Sequence, residues 1–303
     1  MKVLLVCLFL ANWQTVRAEE SLSAETTHSL DKRGSSIETS TSDAKCSRII
    51  SLAPSITELV IALQLADKLV GVSSFDNVLS SDSDLPRVGD LFNVNLETAH
   101  SLRPSIVLAL HEQRHLIKKV ESVGIKSVIF NHNTLEGIQQ SIEELGALCH
   151  VHQNSDQLLS DLTREMASVK DSLADQKVLI VIGGVQEQLY VSGRDGFFYP
   201  LLKHVGLKPA FEQKTVATGA LAAEALLSLR PDHILHILPP NRPLPSKEVL
   251  KTHWRKFAGV PAVQRESIFV RSEPFFSIPG IHYPKVAKAF VEMFGELNER
   301  DPS

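Results

Sequence analysis

The sequence predicts an α/β fold: two lobes with mainly parallel sheets flanked by helices, joined by one long rigid helix. Three observations predict it. Short β-branched runs alternate with helical stretches, the rhythm of strand–helix–strand layers. A long polar segment in the middle of the chain carries a single apolar stripe. The pattern E-x-x-x-S-L-R-P occurs twice, at 97–104 and 224–231, on either side of that segment.

The first 18 residues read as an export signal. Lys2 is a short positive region, 3–11 is an apolar run, and 16–18 ends on the small residue Ala18 as a signal-peptidase site does. Nine apolar residues fall far short of the ~20 that a membrane-spanning helix needs. The other reading is a buried N-terminal helix. Cleavage after Ala18 removes Lys2 and Arg17 and no acid, taking the net charge from −4 to −6. Cys7 leaves as well, so Cys46 and Cys149 remain, which permits one disulfide in an exported chain without requiring it. Residues 19–45 are rich in Ser, Thr and Glu, bury too little to offset their ordering entropy, and read as a disordered leader.

The N-terminal lobe is expected over 46–153. Residues 48–52 read as a short buried strand, 53–55 as a turn, and 56–65 as a helix with Ser55 or Thr57 near its start. Further strands are expected at 68–72, 106–109 and 127–130, with helices at 97–102, 113–123 and 135–148. From 154 to 176 the stripe Leu158, Leu159, Leu162, Met166, Val169 and Leu173 predicts one helix. At 1.5 Å per residue it would span ~30 Å, the width of a small domain. It reads as a connector between lobes, or else as a peripheral helix of one larger domain. The C-terminal lobe, 177–303, then carries strands at 178–182, 233–237 and 267–270 and helices at 196–205 and 221–229.

Composition narrows the function. Of 303 residues 43% are hydrophobic and 22% charged, which excludes a disordered or collagen-like chain. Lys and Arg number 31 against 35 Asp and Glu, so there is no positive excess to hold a phosphate backbone and no nucleic-acid partner is expected. The chain has no P-loop, G-x-S-x-G, H-E-x-x-H or C-x-x-C. Gly183 and Gly184 follow a strand but lack the third glycine of a dinucleotide site. His111 and His115 have the i, i+4 spacing of a metal pair, or are two solvated histidines at a helix start. His150 and His152 beside Cys149 would need further ligands from elsewhere.

Parallel α/β sheets present ligands at the carboxyl ends of their strands. Loops expected there carry Ser55, Phe75, Asp90, Leu91, Phe92, His111 and Glu112 in the first lobe. In the second they carry Arg194, Arg271, Phe275 and Phe276. Aromatic walls with a few charges suit a large, partly polar small molecule.

The runs R-I-I-S-L-A-P-S-I-T-E at 48–58, L-V-G-V at 69–72, L-P-R-V-G at 85–89 and N-L-E at 95–97 resemble the ABC-importer substrate-binding proteins for iron chelates and vitamin B12. L-R-P-S-I-V at 102–107, Gly124–Ile125 and S-G-R-D-G at 192–196 continue the resemblance. It implies two lobes on one rigid helix, ligand held in the cleft between them, and no catalysis. It also implies that Glu97 and Glu224, the acids of the repeated pattern, dock onto arginines of a two-fold permease dimer served by an ATPase. A monomer of periplasmic location, with no resident cofactor and no membrane insertion of the mature chain, follows from the same resemblance. Departures bear on the ligand. Leu91 or a neighbour stands where the B12 binders have a pocket tryptophan, Asp90 where haem binders have an iron-ligating tyrosine, and Phe75 where a tyrosine contacts B12. They point away from haem and weaken cobalamin, leaving an iron–siderophore chelate as the leading ligand class. Cobalamin is the alternative, and a secreted metal-dependent α/β enzyme is a distant one. Within this architecture Cys46 precedes the first strand and Cys149 ends a helix antiparallel to the strands, so both lie at the edge opposite the cleft and a Cys46–Cys149 bond is expected.

Overall fold

The computed structural model describes residues 45–78, 84–173, 176–183, 189–213, 218–239 and 244–298. The expected export signal and all of the leader except Lys45 lie outside the described residues. No helix among the described residues is long and apolar enough to cross a membrane.

The first lobe runs β1 (Ile49–Ser51), α1 (Pro54–Ala62), β2 (Leu69–Ser73), β3 (Arg87–Gly89), α2 (Leu96–Ser101), β4 (Ile106–Leu110), α3 (Arg114–Ser122), β5 (Ser127–Phe130) and α4 (Leu135–Leu148). Its five strands are parallel in the order β3-β2-β1-β4-β5. Because helices cover both faces, the central strands β1 and β4 are buried on both sides rather than alternating. Ile50, Leu52, Val107 and Ala109 pack under α2 and α3, while Ile49 and Leu108 meet α1 and α4 on the other face.

Helix α5 (His152–Ala167) leads into the second lobe. There follow β6 (Lys177–Ile182), β7 (Leu189–Ser192), α6 (Phe198–His204), β8 (Lys208–Pro209), β9 (Thr218–Leu221), α7 (Ala223–Leu229), β10 (His233–Ile237), α8 (Lys247–Arg255), α9 (Pro261–Gln264), β11 (Ile268–Arg271), α10 (Pro274–Ser277) and α11 (Tyr283–Asn298). The sheet order is β11-β10-β6-β7-β9, with β8 paired to β6. β6, β10 and β11 are parallel, and β7 is antiparallel to both of its neighbours. One face packs on Leu201, Leu202, Phe290 and Phe294, the other on Trp254, Phe257 and Leu226.

The connector is shorter than its stripe suggests. Helix geometry stops at Ala167, although Val169 still reaches the core. Beyond it the backbone N–H groups of Asp171 and Leu173 donate to the carbonyls of His204 and Val205 at 2.9 and 2.8 Å, instead of continuing the ladder of α5. Gly206, at φ +93°, comes so close to Leu173 that a Cβ there would lie 2.3 Å from its carbonyl oxygen. Tertiary hydrogen bonds to α6 thus end a helix that periodicity alone would extend. Leu162 and Met166 of α5 join the core of the first lobe to that of the second, so one apolar cluster runs through both.

The repeated pattern has a structural counterpart. Arg103 and Arg230 both take left-handed backbone, φ 45° and 46°, and each ends a short helix before a proline. Each helix end is met by a cation at the start of the neighbouring strand. Arg48 donates to the Leu102 carbonyl at 2.9 and 2.7 Å, and Lys177 donates to the Leu229 carbonyl at 3.3 Å. The residue after each proline repeats the logic: the Arg48 and Lys177 N–H groups donate to Ser105 Oγ and Asp232 Oδ2. The two lobes are copies of one design at this junction.

Candidate functional site

The first lobe presents its loops at the carboxyl edge of a parallel sheet, and a few polar side chains set their shape. Gln113, which the sequence reading passed over, is the main one. Its amide nitrogen donates to the carbonyls of Leu52 at 2.8 Å and Asp90 at 3.3 Å, and its amide oxygen accepts from the Leu110 N–H at 2.9 Å. One side chain therefore ties the loops after β1, β3 and β4. Arg87 does the same after β2, donating to the carbonyls of Ser73 and Asp76 at 3.0 and 2.7 Å. An interior-facing Gln next to a His–Glu pair was the available signal for the first of these.

On this frame Phe75 and Phe92 stand 62% and 68% exposed, with Leu91 at 38%. Their loops touch, since the Ser74 N–H donates to the Gly89 carbonyl. The result is an apolar rim that the fold itself does not bury, the kind of surface that marks a binding edge. Asp90 shapes this rim: its Oδ1 accepts the N–H groups of Phe92 and Asn93, both at 2.8 Å. His111 and Glu112 lie beside it and are exposed. Arg114 donates to His111 Nδ1 at 3.2 Å, and the Asn133 amide donates to Glu112. His115 is exposed on α3, and no group of three His, Cys, Asp or Glu among the described residues is placed to hold a metal ion.

Three candidates are placed differently from the expectation. Ser55 is buried, with its Oγ 2.9 Å from His132 Nδ1, beneath the contact between lobes. Phe276 is 1% exposed and packs against Phe290 at 6.3 Å, so it belongs to the core while its neighbour Phe275 is half-buried. Arg194 is directed away from the edge where the others gather. β7 enters the sheet at that edge with Leu189 and runs antiparallel to β6, so Arg194, two residues past its end, points toward the opposite edge. There its guanidinium lies 5.9 Å from the Tyr199 ring. Placing Arg194 on a carboxyl-edge loop overlooks this reversal; 184–188 lie outside the described residues. Arg271 is half-buried at the end of β11, 3.8 Å from Glu273.

Glu97 and Glu224 are both exposed in the first turn of a short helix, α2 after β3 and α7 after β9. Asn95 caps α2 by accepting the Thr98 N–H at 3.0 Å. At the far edge of the first sheet Cys46 and Cys149 are bonded, with Cα atoms 5.3 Å apart.

The loops at the two carboxyl edges meet: a Cβ on Gly280, beyond α10, would lie 3.1 Å from Cβ of Ser55, in the first turn of α1. Two mainly parallel lobes joined in this way, with loop residues on the facing edges, have the architecture of two-lobed solute-binding proteins. The sequence pattern of the periplasmic binding protein family matches residues 49–273, and the chain belongs to that family, one of substrate-binding proteins. It is 30% identical over 199 residues to an ABC transporter substrate-binding lipoprotein of Bacillus subtilis (strain 168), spanning 62% of each chain. It is 24% identical over 236 residues to a vitamin B12-binding protein of Pectobacterium carotovorum subsp. carotovorum (strain PC1), spanning 75% of this chain and 83% of that one. The crystal structure of an ABC transporter substrate-binding protein from Listeria monocytogenes EGD-e shares the fold, with a TM-score of 0.70 at 24% identity, covering 82% of this chain and 98% of that one.

Proposed function

We propose that this protein is the substrate-binding component of an ABC importer, exported through residues 1–18 to the periplasm, where it captures a large metal chelate between its lobes. It performs no chemistry; its task is to hold the ligand and deliver it to a permease dimer and ATPase, with Glu97 and Glu224 as docking residues. The exposed apolar rim of Phe75, Leu91 and Phe92 carries this reading. Covering such a rim with ligand removes apolar surface from water, worth ~25 cal/mol per Å².

The rim also orders the ligands. Asp90 offers its carboxylate to backbone N–H groups, and the charged residues on the carboxyl-edge loops of the two lobes are of both signs: Glu112 and Glu273 with Arg114 and Arg271. A balanced, partly apolar edge suits a bulky, weakly charged chelate better than a highly anionic one. Together with the vitamin B12-binding relatives, this supports a corrinoid ahead of a ferric siderophore of the neutral hydroxamate type, the class that the sequence departures favour. The test is a thermal-shift and calorimetric panel of cyanocobalamin, ferric hydroxamate, ferric catecholate, ferric citrate and haem. A ligand at ~100 times its Kd adds ~2.7 kcal/mol of stability. A shift with cyanocobalamin alone is expected; a shift with a ferric chelate alone overturns the ligand, and binding of none overturns the function.

A further inference from the structure

Three aromatic side chains meet inside the second lobe with polar nitrogens left unused. His236 stands on β10 and is fully buried, and His253 and Trp254 are neighbours on α8, which packs on that face of the sheet. The rings touch one another. Their centres are 6.1 Å apart for His236 and His253, 5.9 Å for His236 and Trp254, and 5.1 Å for His253 and Trp254. His236 Nδ1, His253 Nε2 and Trp254 Nε1 are all shut off from solvent, and none has a hydrogen-bond partner among the described residues. Buried polar groups without partners are costly and uncommon, and three in one contact call for an occupant, an ion or a water.

The hydrogen bonding fixes what these nitrogens offer. A carbonyl oxygen only accepts, so the 3.0 Å contact between His236 Nε2 and the Gly183 carbonyl places the ring proton on Nε2. Nδ1 therefore carries a bare lone pair. An imidazole that donates from one nitrogen to a backbone carbonyl and presents a lone pair on the other has the arrangement of a metal ligand, in which the carbonyl sets tautomer and ring orientation. Burial holds His236 below its usual value and His253 at about 4, with Lys256 adding to the effect on His253. Both rings are thus neutral near neutral pH, and each has one lone pair to offer. An ion bound ~2.0–2.1 Å from one nitrogen of each ring sets the ring centres roughly 5–6.5 Å apart, and the observed 6.1 Å lies within that range. The Trp254 N–H is a donor only; it cannot ligate a metal but can donate to a water that does.

We propose that His236 and His253 bind one divalent ion of the kind that imidazole prefers, zinc or copper, and that a water on this ion accepts the Trp254 N–H. This occupant satisfies all three nitrogens at once. With two protein ligands the remaining positions belong to water, in keeping with the absence of a metal-holding trio of His, Cys, Asp or Glu among the described residues. Lys256 bears on His253 with positive charge and opposes a cation, but its ammonium is held over the Phe257 ring, 5.1 Å from the ring centre. Because one ligand belongs to the sheet and the other to α8, the ion ties helix to sheet and stiffens the second lobe without any movement between lobes. The site is independent of the ligand held in the cleft and of the docking acids.

The test uses the mature chain stripped of metal by a chelator, with zinc and copper chlorides as probes and no cleft ligand. Of the two tryptophans, Trp13 lies in the expected export signal, so Trp254 is the sole indole of the mature chain and its fluorescence reports this site. Copper should quench that fluorescence with saturation at one ion per chain, and excess zinc should restore it. Zinc at ~100 times its Kd should raise the melting temperature by several degrees. His236→Gln and His253→Gln should each lose both effects, whereas His111→Ala/His115→Ala, which removes the exposed pair of the first lobe, should keep both. No stoichiometric ion on the wild type, or quenching and stabilisation unchanged in the His236 and His253 variants, overturns the site and leaves an ordered water as the occupant. Should the buried variants fold poorly, the absorption spectrum of the cobalt-loaded His111→Ala/His115→Ala protein decides: nitrogen-ligand bands saturating at one cobalt per chain are required, and their absence overturns the proposal.

Discussion

Breaking the Cys46–Cys149 bond should lower the melting temperature of this protein by roughly 5–15 °C. The bond closes a loop with a sequence separation of 103 residues. In the chain-entropy description a loop of about that length restricts the unfolded state by ~4.7 kcal/mol, and loss of native disulfides costs ~2–5 kcal/mol in practice. At ~2–3 °C per kcal/mol for a domain of this size, the interval above follows. The effect should be global, because one apolar cluster runs through both lobes and a single transition is expected. The assay is a calorimetric melt of the mature chain, oxidised, reduced, and as the Cys46→Ser/Cys149→Ser double variant. Cys46 is itself buried, so the double variant should melt slightly below the reduced wild type, the difference reporting the buried hydroxyl rather than the loop. Reduced and oxidised protein melting within about 2 °C of each other would refute the loop argument. Two free thiols per chain, counted by alkylation mass on oxidised protein, would remove its premise.

The remaining predictions concern the rim, the docking acids and the loop clasp. Phe75→Ala and Phe92→Ala should each weaken chelate binding by ~1–2 kcal/mol, about 5–30-fold in Kd by calorimetry, with the melting temperature of the free protein unchanged. Wild-type affinity in both variants would show that the rim is not the site. Reversal of Glu97 and Glu224 to Lys should abolish permease-stimulated ATP hydrolysis in reconstituted vesicles while chelate affinity stays at the wild-type value; unchanged stimulation would sink the docking role. Gln113→Ala leaves the Leu110 N–H and two carbonyls without their partner and should cost ~2–4 kcal/mol in urea unfolding. A loss below about 0.5 kcal/mol would mean that water replaces the clasp.

The strand–helix rhythm was readable because it rests on local pattern. Ser127–Phe130, Leu135–Leu148 and His233–Ile237 fall where periodicity places them. Helix α11 was equally available and went unread, since Val286, Ala287, Phe290, Met293 and Phe294 form one buried stripe. The β7–β9 insertion was not available: strands of four residues carry too little pattern to announce that the sheet reverses direction there. That reversal, rather than any property of Arg194, separates it from the other candidates. Phe275 and Phe276 show the same limit, for two adjacent phenylalanines are indistinguishable in sequence while one faces the core and the other does not.

By itself the sequence determined the α/β class, the family, and the repeated helix-end junction in both lobes, because these depend on residue type and spacing along the chain. Only the tertiary structure decided where α5 stops, which loops Gln113 and Arg87 tie together, and that Ser55 is closed under the opposite lobe. Each of those depends on groups tens to more than two hundred residues apart competing for the same hydrogen bonds and the same buried space, and no local pattern records the outcome of that competition.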